Sequence, residues 1–175
     1  MIGFDPTAFD NLKILIEGSV YDFDLSGRIY IKNRSDLIDL ANMSRTYKIE
    51  VACHKKNSLN TATLILSTNL QELSKELLHQ SSTKFGCNFK ILYSSKSTHY
   101  EMASYRIRKI VKHHFDEQYT VLQNIMFQSH HSDKTEEVYT ITTEAILNTL
   151  LYEEDVEDIP YIINNVISTL QSIYD

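Results

Sequence analysis

The sequence predicts an α+β fold, with antiparallel β-hairpins in the first half packed by helices and a mostly helical second half holding a long amphipathic helix near 98–128. Three observations carry that expectation. Short runs of alternating apolar and polar residues recur before residue 95, apolar residues at helical spacing dominate after it, and the strongest cationic cluster lies on one side of the longest helical period. The 175 residues are the size of one domain, and a chain of that length buries about 70% of its unfolded surface around one core. A single globular domain over 1–175 is expected, and the 42% apolar and 23% charged content fits an ordinary globular chain.

Asp5 and Pro6 read as a cap and a first-turn proline leading into Phe9, Leu12, Leu15 and Ile16, which predicts a helix over 6–17, although Leu12, Ile14 and Ile16 also suit a strand. Gly18 interrupts that spacing. Tyr21, Phe23 and Leu25, then Ile29 and Ile31, alternate with polar residues about Ser26 and Gly27, the pattern of a hairpin. Ser35 is placed to cap a short helix through Leu37, Ile38, Leu40 and Ala41. A second hairpin pairs Ile49, Val51 and Cys53 with the β-branched segment 62–66, and a helix starts at Thr68 or Asn69 with Leu70, Leu73, Leu77 and Leu78 on one face. The next strand is clear, because Phe85, Cys87, Phe89, Ile91 and Tyr93 share one face.

The long helix follows. At about 100° per residue, Ala103, Ile107, Ile110, Val111, His114, Val121, Leu122 and Ile125 fall on one side, and Thr98 with Glu101 has the spacing of a capping box. Tyr119, Val121, Ile125 and Phe127 would also alternate as a strand, but the face continuity favours helix. A polar connector over 129–135, a short strand over 138–142 and helical spacing at Ile146, Leu147, Leu150 and Leu151 come next. A final helix is expected after Asp158, where Ile159, Ile162, Ile163, Val166, Ile167, Leu170 and Ile173 form a wide apolar stripe.

No run of about 18 apolar residues is present, and the first residues carry Asp5 and Asp10 where a leader would be basic and then apolar, so neither a membrane span nor secretion is expected. Cys53 and Cys87 sit in strand-like surroundings, which predicts reduced buried thiols and a cytoplasmic location. The net charge of −6 is uneven, since residues 132–175 hold ten Asp and Glu against one Lys while the remainder carries +3. The acidic segment 153–158 and the basic helix are therefore candidates for mutual attraction, within one chain or between two.

Catalytic and cofactor signatures are absent: there is no G-x-S-x-G elbow, Gly-rich phosphate loop or dinucleotide fingerprint among 4 glycines. His113 with His114 and His130 with His131 are adjacent pairs, whose imidazoles point about 100° apart on a helix and do not converge on one metal as an i, i+4 pair does. A site shared by His113, His130, Asp133 and Glu137 requires a chain reversal. The remaining candidate is an anion or nucleic-acid contact on the face of Arg106, Arg108, Lys109, Lys112 and His113, with Tyr105 between the cations as a ring able to stack on a base. A solvated helix face has the same pattern, and a pI of 5.6 opposes a dedicated nucleic-acid binder. The favoured expectation is a non-enzymatic interaction or regulatory protein, a homodimer or a binder of another protein, with no cofactor. A nucleic-acid-associated factor comes second, and a small enzyme or ligand-binding domain with a dispersed site third.

Overall fold

A computed structural model describes residues 8–53, 60–77, 84–127 and 137–174. Helix α1 (Ala8–Leu25) leads into strands β1 (Ile29–Asp39), β2 (Ser44–Cys53) and β3 (Thr61–Thr68), followed by helix α2 (Leu70–Leu77) and strand β4 (Gly86–Ser97). Helix α3 (Tyr100–His114), strands β5 (Tyr119–Phe127), β6 (Tyr139–Leu147) and β7 (Leu151–Tyr152), a 3-10 turn (Glu153–Asp158) and helix α4 (Ile159–Tyr174) complete the order. The class is α+β, as expected, but the second half contributes three strands and is not mostly helical.

All strands pair antiparallel in the order β1-β2-β3-β4-β6-β5, and β7 continues along β4 beyond the end of β6. Period-two burial puts Tyr47, Ile49, Val51, Leu64, Leu66, Phe89, Ile91, Tyr93 and Ile141 on one buried face. Helices α1, α4 and α3 cover that face, with α4 between the other two. The opposite face is open and carries cross-strand ion pairs such as Lys90 with Glu144 at 3.1 Å. Cys53 and Cys87 are both buried and form no disulfide. No helix of the described residues is long and apolar enough to cross a membrane.

Several expected elements change type. Residues 21–25 belong to α1, where Phe9, Leu12, Ile16 and Val20 continue at helical spacing into Phe23, so the alternation at 21, 23 and 25 is incidental to a helical stripe. Gly18 is simply accommodated in the helix, whereas Gly27 ends it in the left-handed region at φ 74°, with its N–H donating to the Asp24 carbonyl. Residues 35–39 extend β1 and pair with β2 from Ser35↔Lys48 to Asp39↔Ser44, so no helix forms there. A cap at Ser35 cannot compete with a row of ladder hydrogen bonds. The first expected hairpin and its helix are therefore replaced by α1 and β1, whereas the second hairpin forms as β2 with β3 and is followed by α2.

The long helix stops at His114, and residues 119–127 are a strand. Its N-cap residue is His99, with no side-chain cap bond; Ser97 Oγ accepts from the His99 N–H, so the expected Thr98–Glu101 box does not form. Tertiary bonds fix the break: Asp116 Oδ1 accepts from the Gln118 N–H, while Asn148 donates from its backbone to the Gln118 carbonyl and from its side chain to the Glu117 carbonyl. The helical spacing at Ile146–Leu151 is likewise overridden, because β6 runs through Leu147 in register with β5 and β4. The β3–β4 region, the Asn69 cap of α2 and the final helix take their expected form.

One polar cluster ties α1 to the far end of the sheet. Asp36 accepts from Arg45 Nε at 2.9 Å and Nη2 at 2.7 Å and from Lys13 Nζ at 2.7 Å, and Arg45 Nη1 also reaches Asp10. The Arg45 guanidinium, helped by Lys13, lowers the Asp36 carboxyl to about 2. A depressed carboxyl contributes stability that is full at neutral pH and disappears as pH falls from about 4 to about 2. Asp36→Asn is expected to cost about 1–2 kcal/mol at pH 7 and to flatten the acid limb of stability over that window. Urea denaturation across pH checks it, and an unchanged acid limb in the variant contradicts the assignment.

Candidate functional site

The site is built from the β5 edge and the helix lying over it. β5 ends the sheet, pairing with β6 from Tyr119↔Leu147 to Phe127↔Tyr139, and among the described residues nothing pairs with its other side. Its sequence, YTVLQNIMF, contains no charge and no proline, and its register is unbroken. Apolar side chains are exposed on both faces: Leu122 (51%) and Met126 (64%) outward, Ile125 (42%) and Phe127 (49%) towards the helix side. A terminal strand normally hides its open hydrogen-bonding edge with charges, a bulge or a cover, because an uncovered edge pairs with other chains.

The other terminal strand shows that protection. β1 carries Lys32, Arg34, Asp36 and Asp39, and its register shifts between Ile31 and Asn33. Its charges are held by neighbours, Arg34 by Glu17 at 2.8 Å and Asp36 by Arg45 at 2.7 Å. β1 also exposes Leu37 and Ile38, but between Asp36 and Asp39 at the hairpin tip. The two edges of one sheet are thus chemically opposite.

Helix α3 runs over β5 and β6 with Ile107 and Val111 buried beneath it. Gln123 locks helix to strand: its amide donates to the Ser104 carbonyl at 3.1 Å and to Thr143 Oγ1 at 2.9 Å, and its oxygen accepts from Arg108 Nη2 at 3.0 Å. That places Arg108 against the edge strand. Projected around the axis, Ser104, Arg108 and Lys112 share the β5 side, Lys109 faces outward, and Arg106 lies on the opposite side. Arg106 donates to the Ile173 carbonyl at 2.7 Å and so satisfies an orphan acceptor at the C-terminal end of α4, where positive charge is also favoured.

The predicted cationic face therefore divides. Arg108, Lys109 and Lys112 are exposed with Tyr105 and His113, while Arg106 is engaged with α4. Among the described residues none of these four cations forms an ion pair with the acidic segment 153–158, whose contacts lie elsewhere: Glu153 accepts from Asn11, Glu154 from Lys84 and Asp155 from the Tyr152 N–H. Lys32, Arg34 and Arg45 lie on β1 and β2 at the far end of the sheet, so they do not extend the face. Lys55, Lys56, His130, His131 and Asp133 lie outside the described residues.

A polar cleft of about 480 Å³ opens at the end of α3, lined in part by His113, His114, Asp116, Asp155, Asp158 and Tyr161. Burial, with His113 beside it, pushes the His114 imidazole down, which keeps it neutral at pH 7. No hydrogen bond or ion pair orients either imidazole, and no three His, Cys, Asp or Glu side chains converge for a metal, among the described residues. Tyr119, on the cleft wall, is raised to about 12 by burial and by Asp116, so its phenol stays protonated.

Compared with protein-family models, with curated proteins and with solved structures, the chain matches none. The sequence does not display the β5 edge as a site, because the face continuity from Ile107 to Ile125 favours a helix through these residues. The available signal was its freedom from charge over nine residues beside a strongly charged helix.

Gln123→Ala leaves the buried Thr143 hydroxyl and the Ser104 carbonyl without this partner, and is expected to cost about 1–3 kcal/mol. Thermal or urea unfolding measures that cost, and amide exchange over 119–127 is expected to accelerate. Unchanged stability and exchange contradict a locking role for Gln123.

Proposed function

We propose that the chain is a non-enzymatic interaction module that recruits an extended segment of another polypeptide by strand addition at β5. The observation that carries this reading is the contrast between the two terminal strands: β1 is charged and bulged, whereas β5 is uncharged, regular and apolar on both faces. An added strand gains affinity from main-chain hydrogen bonds and specificity from pockets for alternate side chains. Here the exposed Leu122, Ile125, Met126 and Phe127 supply the apolar contact that a solvated edge strand would not need. The ring cluster at the strand's end, Phe127 with Tyr139 at 5.7 Å and Tyr139 with Tyr100 at 4.5 Å, adds a firm aromatic wall.

The apolar stripe of α4 supports no external contact, since Ile159, Ile163, Val166, Ile167, Leu170 and Ile173 are all buried in the chain's own core. A second copy would have to use another surface. Nucleic acid has weaker support, with Arg106 engaged internally and the other cations of β1 and β2 at the opposite edge.

The test uses a short acetylated and amidated peptide of alternating Val and Thr with Gln at both ends. Backbone amide shifts of the protein are expected to move in β5, and Leu122→Lys with Met126→Lys to abolish the effect. Both replaced side chains are exposed, and the lysine at 122 faces Glu144 across the ladder, so the fold is retained. Shifts confined to other surfaces, or binding unaffected by the lysines, contradict strand addition at β5.

A further inference from the structure

β5 and α3 together form a surface whose two ends differ. α3 and β5 run in opposite directions through the loop at Phe115–Gln118, so the C-terminal turns of the helix lie over the first half of the strand. Arg108 is fixed there by its 3.0 Å bond to Gln123, and Lys112 is one turn further along on the same side. The opposite end, where Tyr100 begins the helix, carries the exposed Ile125, Met126 and Phe127.

Arg108 uses one donor on Gln123, and a guanidinium has five. Its remaining donors and the Lys112 ammonium project beside the place an added strand would occupy. No carboxylate forms an ion pair with either cation among the described residues. From these placements we infer that the segment added at β5 is acidic at the end beside Arg108 and Lys112 and apolar at the end beside Ile125–Phe127. This rests on the strand-addition reading above and adds the partner's chemistry to it.

A second copy does not fit the site. Two β5 strands pairing antiparallel about a two-fold would set Tyr119 of one opposite Phe127 of the other, and so would place each Arg108–Lys112 side beside the other copy's apolar Ile125–Phe127 end. The strand offers them no carboxylate, because residues 119–127 are uncharged and Asp116 and Glu117 would fall beside the other copy's apolar end. Each copy's cations would then lie beside an apolar strand end with no carboxylate of β5 to meet them, which leaves their charge unmatched. A polypeptide with Asp or Glu at one end meets both demands.

The decisive comparison uses three peptides with the same Val and Thr core, carrying Glu, Gln or Lys at one end, titrated into the unmodified protein at low and moderate salt. The Glu-ended peptide is expected to bind about tenfold tighter than the Gln-ended one, each pair at an exposed rim contributing a few-fold. That margin should shrink with salt and vanish in Arg108→Gln with Lys112→Gln. Lys112→Glu, at an exposed position, should reverse the preference towards the Lys-ended peptide, which a merely destabilised fold cannot do.

Equal affinities for the Glu- and Gln-ended peptides, with β5 amides still shifting, overturn the acidic partner and leave strand addition standing. Absence of any β5 shift with all three peptides overturns strand addition itself. A single-stranded thymidine oligonucleotide that displaces the Glu-ended peptide, and loses binding in the double Gln variant, assigns the cations to nucleic acid and overturns the inference as well.

Discussion

Burial of the sheet's inner face under α4 is the constraint on which the other elements depend. The helix lies between α1 and α3, packs against β2 and β3, and accepts at the Val166 carbonyl from Tyr93 of β4. Each of its buried aliphatic side chains contributes about 1.5–3 kcal/mol on leaving water, against 0–1 kcal/mol for a typical exposed ion pair. Apolar packing therefore sets the architecture, and polar clusters adjust its ends. The Arg106 bond to Ile173 passes that order to α3, and Gln123 passes it from α3 to β5. An edge strand held this way is presented in one geometry, which lowers the ordering cost of pairing with it.

The uneven charge has a structural counterpart. Glu153 and Glu154 lie with Asn11 of α1 and with Lys84, while Asp155 and Asp158 line the cleft at the end of α3 with His113, and among the described residues none of them forms an ion pair with Arg108, Lys109 or Lys112. The β1 end behaves differently, as Asp36 binds Arg45 and Lys13 and Arg34 binds Glu17. Charges at β1 are balanced within the chain; those beside β5 are left to solvent or to a partner. The strand-addition proposal rests on that asymmetry.

Local pattern revealed those parts of the fold whose neighbours agree with it. α4 was legible because a wide stripe after Asp158 and Pro160 has one interpretation, and β4 because Cys87, Phe89, Ile91 and Tyr93 alternate cleanly. α1 beyond residue 17 was masked by Asp22 and Asp24, which make a helical stripe look like a strand. Residues 35–39 became strand only through pairing with β2, a non-local contact that no cap or spacing displays. For the site, the cations were legible and their companion was not. Val121 and Ile125 satisfy periods of both 2 and 3.6 with their neighbours, and the arbiter was Asn148, about thirty residues away in sequence, holding the loop at Glu117 and Gln118.

The central claim is that β5 is an uncovered edge held rigidly in place, and native-state amide exchange of the unbound protein tests it most directly. The account predicts alternation along Tyr119–Phe127: amides bonded to β6 are protected nearly as well as those of β4, and the intervening amides, directed outward, exchange near the rate of an exposed chain. Protection at every amide of the strand would show that the edge is already covered. Rapid exchange at all of them would show that α3 and Gln123 do not hold it, and either result contradicts the account.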